Sequence, residues 1–534
     1  MLLKAITIEN FKGIRDPVRV ELKPVTLLFG ANSAGKSTVV QALHYAQEIF
    51  ERHNVDPGRT LIGGEAIELG GFETLVHGHD RSRPIVLRLE LDLTEMELPT
   101  YRLPYVTSFS DIEISPEQEI TSGWVQVRVA WSELLGKPVL EEYSVGLNGE
   151  TFATLRASMD LKQIEVSRLN IAHPAFVKKY SSISEDLGFE PGDGELKYPS
   201  GDLIALAAEV LKNTPLSLLE VSFGVLGQRD ALINFGRPLD IPEEVFHKDA
   251  DSPMQREFIE SISTFIVGPG ELVRDALRSF RYLGPLREIP PRSFDAERSP
   301  DESRWARGLG AWDALIKADQ AFISRVNDWL ESERHLNSGY RVELKRYKEL
   351  DIESPLFIAL SRGWALDEER PLEAELATLP VRNRLLIREI QNGVEVQPQD
   401  VGVGISQLLP VIVAALHTSR GVVAIEQPEL HIHPAWQVVL GDLFLEQAKQ
   451  KGVLFLLETH SEHLVLRIMR RMRETFTNTL PPGAPAATPD DVSVLFVETH
   501  DGRTLIRQMP LNEAGELVKA WPGGFFEERL SELF

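Results

Sequence analysis

The sequence predicts an α/β protein in which a mixed sheet and a helix-flanked parallel sheet are joined by a largely helical and β insertion. Three observations predict it. A glycine-rich loop, Gly30-Ala31-Asn32-Ser33-Ala34-Gly35-Lys36-Ser37, follows the apolar run 25–29 and precedes a helix-like stretch at 38–50. From about residue 380 onward, short apolar strands alternate with helical periodicity. Between these two regions, alternating strand-like segments give way to 3.6-residue periodicity.

Taken in order, residues 3–8, 18–22 and 25–29 read as three short strands, with Asn10-Phe11-Lys12-Gly13 as the turn after the first. Residues 85–91, 124–129 and 141–147 alternate in the manner of an antiparallel sheet with one wet face. Helical periodicity covers 203–211, 257–280 and 312–330. Buried strands are expected at 422–425, 453–457 and 492–497, and Pro481-Pro482-Gly483 opens a loop.

At 534 residues the chain exceeds one ordinary core, so two or three structural units are expected. It has no cysteine, which excludes disulfides and thiolate metal sites. The N-terminus alternates like a strand and lacks the apolar core of a signal peptide. No stretch reaches the ~18 apolar residues of a membrane helix, so a cytoplasmic protein without a membrane partner is expected. The net charge of −24 opposes a large sequence-independent grip on DNA. A local basic groove is still open, and Arg467, Arg470, Arg471 and Arg473 form the one arginine-rich run, readable as a DNA-facing helix edge or as a solvated face.

The glycine-rich loop has the form G-x-x-x-x-G-K-S, which points unpaired backbone N–H groups and a helix N-terminus at a triphosphate. Asn32, Ser33, Gly35, Lys36, Ser37 and Thr38 are the candidate nucleotide contacts. Lys36 would reach the β- and γ-phosphates, and the Ser37 hydroxyl would ligate Mg²⁺. A carboxylate at the end of a neighbouring strand completes such a metal site, and Glu426, ending the apolar run 422–425, is the candidate. Gln427 follows it, and can orient water but not take its proton; Glu429 is the alternative acid. Upstream, Gly402, Gly404, Ser406 and Gln407 open an apolar helix whose N–H groups favour an anion. Downstream, His460 follows a strand's C-terminal end, where ligands of open α/β sheets gather. His431, His433, His460 and His463 also admit a metal-cluster reading, and Arg287 reads either as a turn cap or as a phosphate contact.

Ile8-Glu9-Asn10-Phe11-Lys12, the loop from Gly30 to Ser37, the signature-like run from Gly402 to Gln407, Glu426-Gln427-Pro428-Glu429-Leu430-His431-Ile432-His433-Pro434 and Glu458-Thr459-His460-Ser461 occur in this order. In them the chain resembles ABC-type ATPases of the SMC, RecF and overcoming-lysogenization-defect group, known in bacteria as AAA family ATPases. The likeness implies an ABC-type ATPase head, with its N-terminal part at 1–95, an inserted β and helical region at 96–380, its C-terminal part at 381–480 and a C-terminal module at 481–534. Trp521-Pro522-Gly523-Gly524-Phe525-Phe526 resembles the module of one subgroup.

The resemblance further implies ATP and Mg²⁺ as cofactors and a homodimer or higher homo-oligomer. In it, Gly404, Ser406 and Gln407 of one chain close over ATP held by the loop of the other, and His460 contacts the γ-phosphate. Residues 430–434 would cross the interface. Gln427 stands where this family carries a catalytic glutamate, so hydrolysis is expected to be slow or partner-gated. Family members serve in anti-phage defence or DNA repair. Nuclease relatives carry a further acidic domain after the ATPase, whereas this chain ends soon after Phe526. The leading expectation is therefore an ATPase that switches a separate effector protein in bacterial anti-phage defence. The alternative is a RecF-like DNA-binding ATPase in repair, which keeps nucleic acid open as a partner.

Overall fold

The computed structural model describes residues 2–56, 58, 60, 67–102, 116–176, 203–212, 220–247, 252–292, 294, 303–362 and 376–522. Strands β1 (Leu3–Glu9), β2 (Val18–Glu21) and β3 (Val25–Gly30) form where apolar alternation places them. Asn10 and Lys12 take left-handed backbone angles, φ 55° and 51°, and turn the chain between β1 and β2. Next come β4 (Ile85–Asp92), β5 (Ser122–Ser132), β6 (Lys137–Leu147), β7 (Glu150–Ala157), β8 (Ile164–Asn170) and β9 (Glu220–Gly224). With β1 and β2 they build an eight-stranded antiparallel sheet in the order β2-β1-β4-β5-β6-β7-β8-β9.

The longer helices described in this half are α1 (Ser37–Arg52), α2 (Leu203–Val210) and α3 (Ser252–Arg278). Tyr45, Phe50, Phe258 and Ile266 from α1 and α3 share one core with Leu87, Val127 and Val145 of the sheet. Each such side chain, wholly removed from water, contributes roughly 2 kcal/mol. The opposite face is wet and polar, as the alternation requires. There the Arg88 guanidinium lies 3.9 Å above the Trp124 ring.

The second sheet carries the phosphate loop. It contains β10 (Arg281–Leu283), β14 (Gly421–Glu426), β15 (Val453–Glu458), β3, β16 (Val492–His500) and β17 (Arg503–Gln508), in the order β10-β14-β15-β3-β16-β17. All neighbours are parallel except β16 and β17. Every residue of β3 and β15 is buried, which is why both read as unbroken apolar runs. Between β10 and β14 in sequence, β11 (Tyr340–Lys348), β12 (Val381–Glu389) and β13 (Glu395–Val396) make a small antiparallel sheet.

Helices α4 (Leu309–Lys317), α5 (Gln320–Glu331), α6 (Val403–His417), α7 (Pro434–Lys451) and α8 (Glu462–Phe476) accompany this half. Trp312, Leu408 and Phe444 share its core with Phe29, Phe455 and Leu457. The single helix expected at 312–330 is two. Asp319 breaks it by capping α5, its carboxylate accepting from the Phe322 N–H at 2.7 Å, a contact of about 1 kcal/mol that favours a new N-terminus.

Strand pairing crosses each expected boundary. β4 pairs with β5 across residue 95, β11 with β12 across 380, and β16, beyond 480, lies beside β3. Trp521 packs edge-on against Phe29 at 5.3 Å, tying residues after 510 to the phosphate-loop strand. Gly523 to Phe526 lie outside the described residues.

Candidate functional site

Gly30 ends β3 with φ 147°, and a Cβ there would meet the Val497 carbonyl oxygen at 2.0 Å. Gly35 has φ 96°, and a Cβ would lie 2.6 Å from the Thr504 hydroxyl. These two positions therefore require glycine, and the cradle they form is backed by β16 and β17. The Thr504 hydroxyl donates to the Ala34 carbonyl at 3.2 Å. Asn32 and Ser33 sit exposed at the crest, while Lys36 and Thr38 are buried. The first turn of α1 carries no acidic residue, so the positive end of its dipole is uncompensated by its own side chains.

Lys36 Nζ donates to the carbonyls of Gly30 at 3.1 Å and Ala31 at 2.9 Å, and lies 3.7 Å from Glu458 Oε1. Ser37 Oγ donates to Glu458 Oε2 at 2.8 Å. The strand adjacent to β3 is thus β15, with β14 one further away; Glu426 and Glu458 stand opposite one another in register at their ends. Burial, and then the nearby Glu458 carboxylate, push the Glu426 carboxyl up to about 7; hydrogen bonds from Tyr282 and Ser37 and the Lys36 charge oppose the shift. Tyr282 projects from β10, paired beside β14, and burial together with Glu426 raises its hydroxyl far above the usual phenol range.

Gln427 adopts φ 45° and donates its N–H to the Glu458 carbonyl at 2.7 Å, turning the chain sharply after β14. Both oxygens of Glu429 are engaged. Oε2 accepts from the Thr459 hydroxyl at 2.8 Å and Oε1 from the His460 N–H at 2.7 Å, and burial raises this carboxyl. Glu429 therefore fixes the turn that presents His460. That imidazole is held below its ordinary basicity by burial and by Lys36, and its buried Nε2 has no hydrogen-bond partner among the described residues.

Arg287 is 3% exposed and acts within the protein as a cap. Its Nη2 donates to the carbonyls of Glu426 at 2.8 Å and Gln427 at 3.1 Å, and burial lowers its pKa to about 10. Its backbone is clamped by Gln407: the Arg287 N–H donates to Gln407 Oε1 at 3.3 Å, and Gln407 Nε2 donates to the Arg287 carbonyl at 2.7 Å. Ser406 is fully buried and donates to the Pro398 carbonyl at 3.1 Å. Neither side chain is presented at the surface. What the segment exposes is Gly402 and Val403, the latter 53% exposed, at the N-terminus of α6, with Gly404 against the His431 carbonyl.

His431 and His433 are exposed, and His433 Nδ1 accepts from the Ala435 N–H at 3.2 Å as the N-cap of α7. Among the described residues no group of three or more His, Cys, Asp or Glu could hold a metal ion. Of the arginine run, Arg471 makes a two-pronged pair with Asp442 at 2.7 Å, Arg467 lies 3.4 Å from Asp442, and Arg470 pairs with Glu474 at 2.7 Å.

Residues 1–66 and 326–465 match the family model of the AAA ATPase domain. Residues 488–534 match a model described as a protein of unknown function (DUF3696). Among solved structures the chain is similar to the SMC head bound to the C-winged helix domain of ScpA, at TM-score 0.38 and 9% identity over 95% of this chain and 98% of that one. It is similar to the SMC head domain from Thermotoga maritima at TM-score 0.36 and 9% identity, over 96% and 100%. The Smc head with an extended coiled coil, bound to the C-terminal domain of ScpA and derived from Pyrococcus furiosus, gives 0.36 and 11%, over 99% and 98%. No curated protein matches.

Around the phosphate loop the structure gathers Lys36, Ser37, Glu426 and His460, and adds three residues not singled out as site residues. Glu458 was legible as an acid closing an apolar strand. Tyr282 sits on a three-residue strand with no pattern of its own. Thr504 reaches the loop only because β17 pairs with β16.

Proposed function

We propose that the chain binds ATP with Mg²⁺ and hydrolyses it as a head-to-tail homodimer in the cytoplasm, and that the closing and opening of this dimer switches a separate effector protein. The observation that carries the reading is the convergence of Lys36, Ser37, Glu426 and Glu458 at the C-terminal ends of three neighbouring parallel strands, under a glycine cradle at a helix N-terminus. The donor set fits the cofactors: Lys36 and the loop N–H groups suit phosphate, and the Ser37 hydroxyl with Glu426 suits a hard divalent cation. The orphaned Nε2 of His460 is a group for a phosphate oxygen to satisfy. Bound there, Mg²⁺ would polarise the terminal phosphoryl group.

The chain's own residues do the rest. Lys36 leaves the carbonyls of Gly30 and Ala31 for phosphate oxygens. Gln427, whose amide orients but does not accept a proton, holds the attacking water, which makes turnover slow. The exposed backbone N–H groups at 402–404 of one protomer cap the phosphates of the other; the buried side chains of Ser406 and Gln407 keep that lid in shape instead of touching nucleotide. Bacterial anti-phage defence is the setting we infer, from the resemblance of the motifs to that group of ATPases. Calorimetry with Mg·ATP tests the core of the reading. Saturable uptake by the wild type, lost in Lys36→Ala, is expected; no uptake by the wild type refutes it.

A further inference from the structure

A second buried acid faces the phosphate loop. Glu458 ends the strand that lies between β3 and β14, and stands in register with Glu426. Its two oxygens are engaged by the two side chains a triphosphate needs: the Ser37 hydroxyl donates to one at 2.8 Å, and the Lys36 ammonium is 3.7 Å from the other. Glu458 is 7% exposed and Lys36 4%, so solvent screens their interaction little. The buried Arg287 donates through Nη2 to the main-chain carbonyls of Glu426 and Gln427, not to either carboxylate. One lysine thus faces two carboxylates at the place where a polyanion must enter. A bare nucleotide would add its own negative charge to that pair at close range, where like charges repel strongly.

We propose that Glu458 couples nucleotide uptake to a divalent cation, holding Ser37 and Lys36 until the cation offsets its charge together with that of Glu426. This rests on the ATP-binding reading above. It makes Glu458 a positioning residue whose effect is read in binding, independently of turnover.

The test is calorimetric titration of the full chain with ATP, in Mg²⁺ and in excess chelator, for the wild type and for Glu458→Gln. The amide keeps an oxygen for Ser37 and removes the charge. Removal of Mg²⁺ is expected to weaken ATP binding to the wild type on the order of 100-fold more than to the variant. An equal penalty in both proteins overturns the proposal and leaves the ATP-binding reading intact. A wild type that binds ATP equally well with and without Mg²⁺ also overturns it, a result that serves even if the variant fails to melt cooperatively. No uptake by the wild type with Mg²⁺ overturns both.

Discussion

The phosphate loop and the segment opening α6 are both glycine-bearing approaches to a helix N-terminus, yet the structure uses them differently. Around the loop, side chains converge on a common point: Lys36, Ser37, Glu426 and Glu458 meet within one protomer. Around 402–407, the polar side chains turn away from the surface, Ser406 to Pro398 and Gln407 to Arg287, and leave Gly402 and Val403 exposed. The first region is built to grip and the second to hold a shape. The contrast teaches that polar side chains converge within one chain at the phosphate loop, whereas on the proposed reading the segment at 402–404 needs a second protomer to act.

The sharpest way to break this comparison is Lys36→Ala. Removal of the Lys36 ammonium is expected to weaken Mg·ATP binding roughly 1,000-fold, about 4 kcal/mol; calorimetry checks it, with a thermal scan to show that the variant folds. An unaltered affinity would mean that the convergence is not a grip.

The next effect is a pH dependence set just behind the loop. His44 on α1 is 2% exposed, its Nε2 lacks a hydrogen-bond partner among the described residues, and burial lowers its pKa from 6.5 to about 4 against the opposing effects of Glu48 and Gln47. The folded state therefore binds fewer protons than the unfolded state between these values. Stability is fully present above pH 6.5 and is lost as pH falls through about 4, by about 3 kcal/mol. Denaturant unfolding at pH 7 and pH 4 is expected to show this slope in the wild type and a shallower one in His44→Gln. Equal slopes would place the acid sensitivity elsewhere.

Arg287→Met probes the joint between the two regions. It leaves the carbonyls of Glu426 and Gln427 without their donor while the Gln407 clamp, made to the main chain of residue 287, remains, a loss of about 2 kcal/mol in unfolding free energy. A neutral result would uncouple α6 from β14. The smallest effect is expected from Ser406→Ala, which leaves one buried carbonyl unpaired and costs about 1 kcal/mol of stability with Mg·ATP affinity and dimerisation intact. Loss of dimerisation without loss of stability would restore Ser406 as a direct nucleotide contact.

The same contrast explains what the sequence disclosed. The loop was readable because its chemistry is contiguous: eight residues, the strand before and the helix after carry it, and full burial of β3 and β15 leaves unmistakable apolar runs. Glu426 was readable as the acid ending β14. That Glu458 stands between it and the loop depends on sheet order, which no local pattern encodes, since β15 is inserted between strands far apart in sequence. For the same reason no local pattern encodes the pairing of β16 with β3 from more than 460 residues away. The direction of Ser406 was hidden too: a serine at the start of an apolar helix looks alike in sequence whether it faces solvent or Pro398.

Sedimentation velocity of the wild-type chain with Mg·ATP, with Mg·ADP and without nucleotide tests most directly whether the exposed backbone at 402–404 caps a nucleotide bound by another protomer. A dimer populated with Mg·ATP and diminished in the other two conditions is expected. A single species of unchanged mass in all three would contradict the account.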